Sequence, residues 1–123
     1  MLGNALYRIG EWSDSAAAFR EAARIRPTHA DTHLNLGHAL YRTGAVEESV
    51  VHWREAVSQS PGDALPHLAL ALGLASMGEF EQGRPSLVRA LRLDQDAWKR
   101  LEIDIRWTPE MVEVVTQMLE EQD

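Results

Sequence analysis

The chain of 123 residues repeats itself at a spacing of 34. Leu2 falls on Leu36 and Leu70, Leu6 on Leu40 and Leu74, and Gly10 on Gly44 and Gly78. Phe19 falls on Trp53 and Leu87, Ala22 on Ala56 and Ala90, and Pro27 on Pro61. Three further columns keep their character: Gly3, Gly37, Ala71; Ser15, Ser49, Gly83; and Trp12, Val46, Phe80. A period of this length marks one supersecondary unit copied along the chain, stacked because a single copy cannot bury its own apolar face.

Each column suits a helix–turn–helix unit. Leu36, Gly37 and Leu40 form one stripe of a helix. Glycine at 10, 44 and 78 ends the first helix of each pair, where a left-handed cap is cheap for glycine alone. The bulky residue at 12, 46 or 80 opens the second helix. Phe19, Trp53 and Leu87 fill the gap between paired helices, and small residues such as Gly37, Ser49 and Ala56 let the helices approach. Pro27 and Pro61 stop the second helix.

The middle unit reads His33-x2-Leu36-Gly37-x2-Leu40, then Ser49-x3-Trp53, Ala56 and Pro61. It resembles the tetratricopeptide repeat (TPR) family, whose pattern is W-x2-L-G-x2-Y, A-x3-F and P. The resemblance covers about residues 1–95, and the stretch Asn35–Gly44 is similar to bacterial TPR proteins and to the repeats of O-linked GlcNAc transferases. It implies an all-α right-handed superhelix of stacked antiparallel helix pairs, about three repeats with a capping pair.

The layout predicts helices over 2–9, 12–25, 30–43, 46–59, 64–77 and 80–92, then a degenerate pair over 96–106 and 109–121. The units run 1–29, 30–63 and 64–95, and 96–123 closes the stack as a fourth unit or cap. The third unit departs from the pattern, with Ala71 for glycine and Gln95 for proline. Pro85 beside Gly83 is expected to kink its helix or delay its start to about Arg84. In the cap, Trp98, Leu101 and Ile105 give one stripe, and Thr108-Pro109-Glu110 reads as the start of a helix. Met1 lands five residues inside a full first helix, so the chain is read as a piece of a longer protein or as one with a short first helix.

Charge narrows the partners. The net charge is −7, of which residues 94–123 carry −6, so a nucleic-acid backbone is not an expected partner. No apolar run approaches the roughly 20 residues a membrane span requires. With neither a basic n-region nor a long apolar stretch after Met1, the chain is read as cytoplasmic. Without cysteine there is no thiolate chemistry.

No enzyme is expected. Neither a phosphate-binding glycine loop nor a nucleophile elbow is present. His29 and His33 are four apart, but Ala30 stands where a zinc-peptidase helix needs glutamate. No metal or cofactor is expected. His33 and His67 share a column and are read as packing residues, and Trp12 and Trp53 as core; Trp107 has no clear structural role.

The resemblance implies that the first helix of each pair lines a concave groove, with inward positions Asn4, Tyr7 and Arg8, then Leu34, Asn35, His38, Tyr41 and Arg42, then Leu65, Leu68 and Leu72. This groove is polar towards the N-terminal end and apolar towards the other, suiting an extended or helical peptide with apolar anchors. The implied function is a non-enzymatic scaffold that binds a peptide segment of a partner protein. The alternatives are self-assembly into homo-oligomers through exposed repeat ends, and a substrate-recruiting segment of a larger enzyme such as a glycosyltransferase. Chaperone-tail clamping is not expected, because Leu65 and Ala69 occupy its two basic columns.

Overall fold

Six helices follow one another in a computed structural model that describes residues 2–97 together with Gln117 and Glu120. They are α1 (Leu2–Arg8), α2 (Trp12–Ile25), α3 (Ala30–Arg42), α4 (Val46–Gln59), α5 (Ala64–Ser76) and α6 (Phe80–Leu93). Each begins and ends within one residue of its expected bounds. The expected cap helices over 96–106 and 109–121, with Trp98 and Trp107, lie outside the described residues beyond Ala97. The architecture is all-α, built of antiparallel helix pairs. The chain divides into two compact units, Met1–Ser60 and Pro61–Asp123.

The turns carry the period down to single hydrogen bonds. Gly10, Gly44 and Gly78 have φ of 85°, 90° and 78°. After each glycine the next amide reaches five residues back: Glu11 to Leu6, Ala45 to Leu40 and Glu79 to Leu74, all at 2.9 Å. This six-residue closure is the Schellman form of helix ending, and it needs the left-handed residue that glycine supplies. The second helices also end alike, with Arg26 N–H on Ala22 O, Ser60 on Ala56 and Asp94 on Ala90, each at 2.9 Å. The same closure at Asp94 forms with Gln95, not proline, in the following position.

In the first unit, α1 packs on α2, α2 on α3 and α3 on α4. Phe19 and Trp53 are fully buried between paired helices. The glycines opposite them are there for space. A Cβ on Gly3 would meet the Phe19 ring at 2.8–2.9 Å, and one on Gly37 would meet Trp53 Cδ1 at 2.5 Å and Cε2 at 2.8 Å. Ser15 Oγ donates to Gly3 O at 2.8 Å, which ties α2 to α1. Trp53 Nε1 donates to Leu34 O at 3.1 Å, tying α4 to α3.

In the second unit, α5 packs on α6 through Leu87 and Ala90, both buried. Asp63 caps α5, its carboxylate accepting from Leu65 N–H at 3.2 Å. Ala69 to Ala75 are buried without a break. Pro85 does not delay α6, which starts at Phe80 with Gly83 N–H on Glu79 O at 3.1 Å. Proline removes the amide that would bond Glu81 O, but Pro85 and Glu81 are both on the exposed side, where water takes the carbonyl. No helix of the described residues is long and apolar enough to cross a membrane.

Candidate functional site

The expected groove residues separate into open and enclosed groups. On α1, Asn4 and Arg8 are exposed and Tyr7 is buried. On α3, Asn35, Tyr41 and Arg42 are partly open, whereas Leu34 and His38 are buried. On α5, Leu65 is partly open, but Leu68 is 1% exposed and Leu72 fully buried. The expectation that Leu68 and Leu72 offer an apolar contact stripe is therefore corrected. The cause is in the sequence of α5: LPHLALALGLA is apolar on every side, and a helix of that kind is enclosed. Tyr7 and Leu34 likewise offer little open area.

One constellation joins α1, α2 and α3. Arg42 Nε donates to Tyr7 Oη at 3.1 Å. The same guanidinium stands 5.4 Å from the centre of the Trp12 ring, within cation–π range. Trp12, expected only as core, thus helps to orient the Arg42 side chain. One turn before Arg42 on α3 lies His38, its ring edge-on to Trp53 with centroids 5.7 Å apart. Tyr41 is tilted against Trp53, its ring centroid also 5.7 Å away. Burial, and after it the positive charge of Arg42, push the His38 imidazole down to about 3, so it is neutral near pH 7.

His33 and His67 do more than pack. His33 Nε2–H donates to Pro27 O at 2.7 Å, and His67 Nε2–H to Pro61 O at 2.9 Å. Each histidine fastens the carbonyl of the proline six residues earlier, the same clasp in two repeats. The signal was visible as a shared column and a shared offset from proline. His33 Nδ1 lies 3.2 Å from His52 Nδ1, and the two rings stack with centroids 5.4 Å apart. Burial, and then the His33 charge, hold His52 below the usual imidazole range. His29 Nδ1 lies 2.6 Å from Thr32 Oγ1. Among the described residues, no group of three or more His, Cys, Asp or Glu is placed to hold a metal ion.

Comparison with known proteins bears on the fold. A family model described as TPR repeat matches residues 3–44. A solved structure of MamA (AMB-1) superposes with a TM-score of 0.72 at 24% identity, covering 76% of this chain and 55% of that one. SycD, a type III secretion translocator chaperone of Yersinia enterocolitica solved as an alternative dimer, gives 0.78 at 15% identity, covering 99% and 89%. SycD in complex with a peptide of the translocator YopD gives 0.78 at 14%, covering 99% and 90%. The chain spans 55–57% of the length of three of the MamA structures it matches. At these identities the likeness establishes a TPR-like helical-repeat fold. A search of curated proteins gives no match. None of these matches supports a specific likeness to the GlcNAc transferases.

Proposed function

We propose that the chain is a non-enzymatic interaction module that holds a peptide segment of a partner protein against α1 and α3. The observation that carries this reading is the Arg42–Tyr7 bond, which makes one polar surface of the two helices. Exposed Asn4 and Arg8 flank it, with partly open Asn35, Tyr41 and Arg42. Amides, a phenol and guanidinium groups suit recognition of a peptide backbone and its polar side chains, with Tyr41 as an aromatic anchor. The SycD structure holding a translocator peptide, similar over nearly the whole chain, supports the same reading. We take the units as 1–29, 30–63 and 64–95, with 96–123 as a cap.

Pull-down from a lysate of the source cell tests it. Asn35→Ala with Tyr41→Ala should keep the circular-dichroism spectrum and abolish capture of the partner. Capture at the level of the unaltered chain would defeat the assignment of this face.

A second reading rests on a separate observation. Leu2 and Ile9 are 67% and 73% exposed, and with exposed Ala5 they form one apolar edge along α1. Such an edge suits self-association. Light scattering over a concentration series should show a dimer that Leu2→Glu with Ile9→Glu disperses; a strictly monomeric chain rejects it. A role as the substrate-recruiting part of a larger enzyme stays a third proposal, without a particular observation in its favour.

A further inference from the structure

Arg42 Nη2 and His38 Nε2 are buried and have no hydrogen-bond partner among the described residues. The two side chains stand one turn apart on α3, so the two unpaired atoms belong to one neighbourhood. Nε of the same guanidinium is on Tyr7 and its face is against Trp12. A guanidinium cannot shed its proton. None of the ion pairs among the described residues includes Arg42. A partly buried positive charge with an unspent donor is costly, and an anion that hydrogen-bonds to it removes that cost. His38, 4% exposed, adds a hydrogen-bonding atom without a second charge.

We propose that Arg42 and His38 form a subsite for the carboxylate of an Asp or Glu side chain in the bound peptide, with Tyr7 and Trp12 fixing the guanidinium. This rests on the reading of the α1 and α3 face as a peptide site and names what that site selects. One guanidinium matches a single negative charge. A phosphate, at nearly two charges and three strong acceptor oxygens, calls for more cations than one. A chain end would need several donors for its backbone as well as its carboxylate, and Arg42 Nη2 with His38 Nε2 supplies at most two. Arg42 is partly open, and adjustment of the side chains that cover Nη2, common on binding, uncovers it while Nε stays on Tyr7.

The test uses a displayed library of random nonapeptides, fused at both ends so that no chain terminus is free, selected on the full chain. Selected sequences should carry Asp or Glu at one fixed position. In a synthetic, end-capped version of the best binder, Glu→Gln at that position should weaken binding about tenfold or more. Against Arg42→Gln the same peptide change should cost less than twofold. An unchanged circular-dichroism spectrum reports that the variant is folded. Arg42→Met, which keeps a stem against Trp12, is run beside it and should behave alike. Binders without an acidic preference, or a tenfold loss that persists in both variants, overturn the subsite and leave the peptide face standing. A library that yields no binder at all overturns the peptide face and the subsite together.

Discussion

Trp53 lies across Gly37 so closely that no side chain fits between them, and its indole N–H reaches the Leu34 carbonyl at 3.1 Å. One aromatic ring thereby fills the space between α3 and α4 and restrains their separation. Gly37→Ala should cost about 2 kcal/mol in urea unfolding, the usual scale for overpacking a tight core. Gly62→Ala is the control: nothing stands within 4 Å of its would-be Cβ and its φ is not positive, so it should change stability by less than about 0.5 kcal/mol. Equal effects at both sites would contradict the packing argument.

The turn glycines are needed for conformation, because nothing crowds a Cβ on Gly44. At φ +90° an alanine is strained, and Gly44→Ala should lower stability by about 1 kcal/mol. Gly44→Asn should lower it by less, because asparagine tolerates left-handed backbone better. Thermal melts of the two variants decide, and a milder effect for alanine would count against the Schellman ending.

His38 makes stability depend on pH. Its imidazole sits at about 3 in the fold and near 6.5 when unfolded, so the unfolded chain binds more protons between those values. Stability is complete above pH 6.5 and falls as the solution is acidified below it. At pH 5 the loss from this group is about 2 kcal/mol. Urea unfolding of the chain and of His38→Gln at pH 7.5 and 5.0 should show a pH dependence smaller by about that amount in the variant. The same dependence in both would mean that His38 is not the group responsible.

The pair Arg20–Glu48 joins α2 to α4 across the first unit, but both side chains are about half exposed. Surface pairs of this kind contribute little. Glu48→Gln should shift the urea midpoint by the equivalent of less than about 0.5 kcal/mol, and should shift it still less in 1 M salt. A drop several times larger would give this ion pair a structural role that its exposure does not support.

Helix bounds and turns were legible in the chain because they depend on contacts within a repeat, and most columns state their job in all three units. Glycine at 10, 44 and 78 announces a left-handed cap wherever it occurs. What the columns do not state is how far a face is covered by material from elsewhere in the chain. Leu68 and Leu72 occupy inward positions by register, yet they are buried. The unbroken Ala and Leu of α5 carried that message, since a helix with no polar side has no side to expose. Arg42 was expected as a groove residue. Its bond to Tyr7, 35 positions earlier, was not, because one period plus one residue matches no column of the repeat. Pro85 was misleading because its rule applies to an isolated helix interior, whereas α6 is held in place by Leu87 and Ala90 packed beneath it.

Hydrogen–deuterium exchange of the full chain, with and without a peptide selected on it, addresses the central claim most directly. Bound peptide should slow exchange in α1 and α3, residues 2–8 and 30–42, with the largest change around Asn35 to Arg42. Protection confined to α2, α4 or α6, with α1 and α3 unchanged, would contradict the account.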